Sequence, residues 1–307
     1  FSFMFRLLLC VCIHVSSFPF HLLTVLHTTT NTGTVTNRIE KAIKTVATVT
    51  NILIVVSGCL SRSLNTTYKN HIEKIFSILD ANSINYSTCY INNKVTEIDG
   101  VKVSDDFKHK IQPDYFLEFS QDFVDSQILK YHPNYKTLYF RKPPISDTDY
   151  VEIFGISPFR NSFIETSCSE FMDSKKDHFT HCLAFCSDNW FEKDFQLNWM
   201  KSNSLIVSDQ NPARGYTNGF YFGSIDDVSK LINSFYSLRQ IATLDYEHLL
   251  KANAEQNSIK VKEEHYRFLK IRANKKPAYQ KRGGIWPKIS HILNDYRFKL
   301  SSVSKQD

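Results

Sequence analysis

The chain changes its hydrophobic period just after residue 50. Ile52 to Val56 form an unbroken apolar run closed by Ser57 and Gly58, the pattern of a strand covered on both faces in a parallel sheet. Leu64, Tyr68, Ile72, Ile75 and Leu79 then recur at helical spacing, so a strand, a polar turn and a helix follow one another. A second strand is predicted over 86–91. Next comes a hairpin whose arms, 95–98 and 101–103, flank the favoured turn pair Asp99 and Gly100.

Between Pro113 and Arg160 the pattern weakens. A helix is predicted over 123–131, an extended piece over 137–140, and a long irregular connection over 143–158 of the kind that often serves as a lid. Periodicity returns with a helix over 163–172 and strands over 180–186 and 204–208. Phe220, Tyr221 and Phe222 then lead through Gly223 and Ser224 into a helix striped by Ile225, Val228, Leu231, Ile232 and Phe235. Ser224 with Asp227 three residues on forms a capping box with Asp in place of Glu, and Asp226 and Asp227 suit the positive helix end. A last helix over 245–255 precedes two extended pieces, 259–262 and 265–272. These alternations predict an α/β fold: an open, mostly parallel sheet flanked by helices, with a small antiparallel insertion.

The ends of the chain differ from this body, which spans 51–274. Residues 1–50 read as an N-terminal extension, either a signal or anchor or non-native translated sequence: an apolar run from Leu7 to Val15 behind Arg6 imitates a signal-peptide core, and a Thr- and Asn-rich stretch follows. Ser16, Ser17, Pro19 and His21 interrupt that run before it reaches the roughly 20 apolar residues of a spanning helix. Residues 275–307 form a basic tail opening on Lys275, Lys276, Lys281 and Arg282. The tail is either solvated or a peripheral membrane contact, and its lone Tyr279 gives no stacking pattern for nucleic acid.

Composition sharpens the picture only in part. The 24 Phe and 15 Tyr among 307 residues, with 42% hydrophobic and 22% charged, belong to a folded body and exclude a disordered or collagen-like chain. A net charge of +6 suits anionic partners such as phosphates or nucleotides, and equally suits simple solubility. The seven Cys include no spaced double pair, so they make neither a disulfide framework nor a zinc finger. Cys182 and Cys186, beside His178 and His181, fall on a predicted strand without a second ligand pair. No phosphate-binding P-loop follows the first strand, and no Gly-x-Ser-x-Gly elbow supports a hydrolase.

Four segments in order carry a family likeness: Ile54-Val-Val-Ser-Gly-Cys-Leu-Ser-Arg-Ser63, Phe185-Cys-Ser-Asp-Asn-Trp-Phe191, Tyr216-Thr-Asn-Gly-Phe-Tyr-Phe-Gly-Ser224, and Tyr246-Glu-His-Leu-Leu250 with Ile259 and Arg272. Together they resemble divergent GT-A-type glycosyltransferases of surface-polysaccharide synthesis, of the kind found in bacteria and giant viruses. The resemblance implies a GT-A-like, Rossmann-like sheet, a nucleotide-sugar donor, and a glycan or other hydroxyl acceptor. Without catalysis, the same fold would be a carbohydrate-binding or structural module.

The resemblance also implies roles. Ser57 and Gly58 would sit under the donor's nucleoside, at the strand's carboxyl edge where open α/β sheets hold ligands. Arg62 and Arg272 would grip the diphosphate, or else be a solvated turn residue and a charge guarding an edge strand. Asp188 would hold Mn2+ or Mg2+, although Ser187-Asp188-Asn189 replaces the usual Asp-x-Asp and Cys186 stands where Arg is common. Asn218 replaces an acid and can bond a sugar hydroxyl without acting as a base. Glu247, matching a Glu-x-Leu-Leu pattern, would be the base facing the acceptor, with Asp245 beside it as the alternate. Tyr216, Phe220 and Phe222 suit either a sugar face or the core. Sequons start at Asn65 and Asn85. Because Asn65 opens the predicted helix beside the donor turn, where a glycan would obstruct it, the expectation is a cytoplasmic protein, free or membrane-associated, or one left unmodified at Asn65.

Overall fold

The computed structural model describes residues 51–98, 101–133, 135, 156–210, 215–238 and 246–272. The readings for 1–50, for 137–140, for 143–155, for the turn at Asp99 and Gly100, and for the tail lie outside these residues.

Strand β1 (Asn51–Gly58) forms where the sequence predicts it, with Ile52 to Val56 fully buried. Helix α1 (Leu60–His71) follows, runs through a π-helical turn at Ile72–Phe76 and ends as α2 (Ser77–Ala81). That turn adds a residue to the helical repeat and shifts its phase. Ile72, predicted on the apolar stripe, is 38% exposed, while Leu64, Ile75 and Leu79 are buried. Strand β2 (Asn85–Lys94) runs parallel to β1. The hairpin forms as β3 (Glu97–Ile98) against β4 (Val101–Lys102).

Strand β5 (Tyr115–Ser120) is a correction to the sequence reading. It is an edge strand parallel to β2, with Tyr115, Leu117 and Phe119 packed inward and their neighbours exposed. Pro113 just before it masks the period-two pattern, and an edge strand needs only one covered face. Helix α3 (Gln121–Tyr131) starts at Ser120, whose hydroxyl accepts from Phe123 N at 3.2 Å. Helix α4 (Ser157–Asp173) is longer than predicted. Strands β6 (His181–Cys186), β7 (Asn189–Phe191), β8 (Leu205–Ser208) and β9 (Phe220–Ser224) lead into α5 (Ile225–Ile232), capped by the Ser224 hydroxyl on Asp227 N at 3.1 Å as the motif predicts. Helix α6 (Tyr246–Gln256) and strands β10 (Val261–Glu264) and β11 (Phe268–Lys270) complete the order.

The main sheet has seven strands in the order β10-β8-β9-β6-β1-β2-β5. Only β9 runs against its neighbours β6 and β8, so the sheet is mostly parallel. Leu53, Val55, Cys89 and Ile91 face a layer built by Val124, Ile128, Phe163, Met172, Leu231 and Leu250 from α3 to α6. Ile52, Ile54 and Val56 face Leu60, Leu64, Ile75 and Leu79, together with an aromatic cluster of Phe191, Phe195, Trp199, Phe220, Tyr266 and Phe268. Each such side chain contributes about 1.5–3 kcal/mol through burial, and two covered faces explain why β1 is apolar throughout.

The strand order also has a switch point. From β1 the chain lays β2 and β5 on one side and then β6, β9, β8 and β10 on the other. The order therefore reverses between β1 and β6, and the crevice outside their carboxyl ends is where open α/β sheets bind ligands.

Candidate functional site

The carboxyl ends of β1 and β6 present Ser57-Gly58 and Ser187-Asp188-Asn189 side by side, joined by Ser187 N donating to Ser57 O at 2.9 Å. Gly58 has φ +114°, and an added Cβ would meet only Ser187 Oγ at 3.8 Å. Glycine is thus demanded there by the backbone turn and not by crowding. The next residues begin α1, whose first amide, Leu60 N, is taken by Asn92 Oδ1 from β2 at 3.0 Å.

All three carbonyls of the Ser187–Asn189 segment are bound. Thr67 Oγ1 donates to Ser187 O at 2.7 Å, Ile271 N to Asp188 O at 2.8 Å, and His71 Nε2 to Asn189 O at 2.8 Å. Burial holds His71 down to about 4, so the ring is neutral and fit to donate from Nε2. Asn189 Nδ2 in turn donates to Gly219 O at 2.6 Å. Thr67, Asn70 and His71 are all buried polar residues of α1. The helix therefore carries a second, polar contact face toward β7, which the sequence reading missed because it tracked only the apolar stripe.

This rigid loop presents one carboxylate to three cations. Asp188 is 6% exposed. Its Oδ1 lies 3.4 Å from Lys270 Nζ, and its Oδ2 lies 3.5 Å from Arg62 Nη1 and 4.0 Å from Arg272 Nη1. Burial alone would raise its pKa, but Lys270, Arg62 and Arg272 overcome that and hold it below its ordinary value. Burial likewise opposes the Lys270 charge, while Asp188 and Cys186 more than offset it and push the ammonium up to about 12. Both partners are charged at neutral pH, and three cations around one anion leave an excess of positive charge in the crevice.

The predicted site residues distribute as follows. Arg62, Asp188 and Arg272 come together directly, with Gly58 and Ser57 behind them. Asn218, partly exposed, precedes Gly219, whose added Cβ would fall 2.7 Å from Lys270 Nζ and 2.9 Å from Cys186 Sγ. Glu247 occupies the first turn of α6, and its carbonyl accepts from Tyr216 N at 3.1 Å. Asp245 lies outside the described residues. Phe220 and Phe222 are fully buried, which decides for the core over a sugar face. Asn65 lies in the second turn of α1, with its Oδ1 enclosed, because the helix begins at Leu60.

Two further residues belong to the site without having been named as candidates from sequence. Lys270 was legible, since it shares the strand face of Tyr266, Phe268 and Arg272 by alternation. Glu165 of α4 is a 7% exposed carboxylate: Tyr221 Oη donates to its Oε1 at 3.2 Å and Tyr246 Oη to its Oε2. Burial raises its pKa to about 7, against the lowering influence of both tyrosines and Lys270. A Glu among Phe163, Ile164 and Cys168 on a buried helix face is the signal that points to it.

Asp188 as a seat for Mn2+ or Mg2+ fits poorly. Each carboxylate oxygen already faces a cation, and the described residues hold no group of three metal-ligating side chains, whereas a hard divalent ion takes about six oxygen ligands. The same holds for zinc at Cys182 and Cys186, which are free thiols. Among the described residues no helix is long and apolar enough to cross a membrane. No protein-family model matches the chain, and no curated protein matches it.

Proposed function

We propose that the chain is a GT-A-type glycosyltransferase that moves a sugar from a nucleotide-sugar donor to a hydroxyl acceptor in the crevice at the β1–β6 switch point. The observation that carries this reading is the convergence of Arg62, Lys270 and Arg272 on Asp188 at that point. A diphosphate is the ligand whose charge suits three cations, and a guanidinium grips its oxygens bidentately. The mostly parallel, helix-flanked sheet and the order of the four motifs support the same reading.

In this mechanism the cations bind the diphosphate and neutralise the charge that builds as the bond from its oxygen to the anomeric carbon breaks. Glu247, half-buried at the start of α6, accepts the acceptor hydroxyl's proton as that oxygen forms the new glycosidic bond. Ser57 and Gly58 lie below the nucleoside, and Asn218 bonds a sugar hydroxyl.

Nucleotide-sugar turnover, followed as released nucleoside diphosphate with and without manganese, tests the reading. Glu247→Gln keeps size and hydrogen bonding but removes the base, so turnover should fall by about 10²–10⁴ with donor affinity unchanged. Near-normal turnover by that variant would overturn the role of Glu247. Glycan binding without any turnover by the wild-type chain would instead make the protein a carbohydrate-binding module.

A further inference from the structure

Glu165 sits where two parts of the crevice are anchored. Tyr221 on β9 donates to its Oε1 at 3.2 Å, and the same phenol oxygen accepts from Gly219 N at 3.1 Å. Tyr246, which precedes Glu247 on α6, donates to Oε2. Tyr221, Tyr246 and Glu165 are all buried, and residues 219 and 246 are far apart in sequence. One carboxylate thus links the turn that carries Asn218 to the helix start that carries Glu247. The Gly219 turn is held on its other side by Asn189 Nδ2 and Cys186 N, both bonding Gly219 O.

We propose that Glu165 is a positioning residue, which through Tyr221 and Tyr246 ties the Asn218–Gly219 turn and the first turn of α6 into one unit, so that donor-side and acceptor-side groups keep a fixed relation across the crevice. The proposal rests on the glycosyl-transfer reading for what the two sides do, but the tie itself does not. A buried acid in this setting is otherwise a liability, because burying a carboxylate costs more than burying an apolar side chain in the same space. The tyrosine hydroxyls satisfy both its oxygens, and half-satisfied networks are the ones proteins avoid.

The tie is also sensitive to protonation. Charged, Glu165 accepts from both phenols; protonated, one of its oxygens becomes a donor and one phenol must turn to accept. The ionisable and charged groups acting on it are Lys270 from β11, Glu247 from α6, and the two phenols. Cys186 at the end of β6 and Cys168 one turn along α4 also feel its charge, and burial holds both of these thiols above their ordinary value and neutral. Its midpoint near 7 therefore places the change of hydrogen bonding within the physiological range.

Amide hydrogen exchange on the full chain tests this with Tyr221→Phe and Tyr246→Phe, each of which deletes one hydroxyl from a buried ring. The amides to follow are Gly219 N and those of residues 250–253, the first in α6 that bond back within the helix. Tyr221→Phe should speed exchange over 250–253 by about threefold to tenfold, and Tyr246→Phe should do the same at Gly219. Glu165→Gln, which like the protonated acid accepts on one side and donates on the other, should match the protection that the wild type shows below about pH 7, whereas Glu165→Ala should lose it on both sides. Relative to the intrinsic rate, wild-type protection at Gly219 should rise as pH passes through about 7 and stay flat in Glu165→Gln. With donor and acceptor present, each Tyr→Phe variant should lower kcat by about tenfold and leave the donor KM within twofold. Exchange that changes only beside each mutated tyrosine would overturn the tie. Linked exchange in a chain that turns over no nucleotide sugar would leave the tie standing and remove the glycosyltransferase reading instead.

Discussion

Two carboxylates lie at the same depth beside the same crevice and behave in opposite ways. Asp188 and Glu165 are 6% and 7% exposed, so desolvation pushes both toward the neutral acid. Asp188 meets Lys270, Arg62 and Arg272 and falls below its ordinary value. Glu165 meets two phenols, with Lys270 acting on it less strongly than either, and rises to about 7. Burial sets the cost of a charge, while the charge of the neighbours decides whether the group carries one. The region around Asp188 is accordingly built to hold ions, and the region around Glu165 to hold hydrogen bonds.

The contrast breaks most visibly at Asp188. Replacing it with Asn leaves three cations facing one another without their counter-ion, which should destabilise the fold by about 3–5 kcal/mol in denaturant unfolding. Because the folded pKa of Asp188 is lowered, its contribution is present above the unfolded value and is lost as pH falls through the folded one. Added pyrophosphate should recover part of the loss by supplying a replacement anion. An unchanged midpoint would mean that the cations are held apart by other contacts.

Glu165 should show the opposite sign. Its folded pKa is raised, so the stability it permits is complete below about 4.5 and declines as pH rises toward about 7. Glu165→Gln should flatten that decline and gain up to about 3 kcal/mol at pH 8, since each tenfold weakening of the acid on folding corresponds to roughly 1.4 kcal/mol. Unfolding curves from pH 5 to 8 check this, and parallel curves for the two proteins would show that Glu165 is already charged at pH 5.

A smaller effect sharpens the contrast within the cation group itself. Lys270, 24% exposed at its side chain and 3.4 Å from Asp188, is better enclosed than Arg272, 41% exposed and 4.0 Å away. Lys270→Ala should weaken nucleoside diphosphate binding by about 10–100-fold and Arg272→Ala by less than about tenfold. The Arg272 effect should fade first as salt is raised, since solvent screens the more exposed charge. Isothermal titration at low and high ionic strength reads both.

The features legible from sequence are those where one local rule decides. Continuous apolarity gives β1, the Ser224 cap gives α5, and alternation over 265–272 is realised as a strand only at Phe268–Lys270. What stayed hidden depends on contacts distant in sequence. The polar face of α1 makes sense only once β7 lies beside it, since Thr67, Asn70 and His71 bond residues about 120 positions away. The π-helical turn at Ile72–Phe76 shifts the helical phase without a Pro or Gly to announce it. Glu165 is similarly invisible until Tyr221 and Tyr246 reach it from two other elements. Asp188 and Arg62 were readable as candidates, but their mutual pairing was not.

The proposed diphosphate site, built from cations in the β1–β6 crevice, is open to calorimetric titration of the full chain with nucleoside diphosphates. The expected result is saturable binding without added metal, weakened by salt and reduced at least tenfold in an Arg62→Ala, Lys270→Ala double variant that stays folded. Absence of binding by any nucleoside diphosphate, or binding that survives the double substitution unchanged, would contradict it.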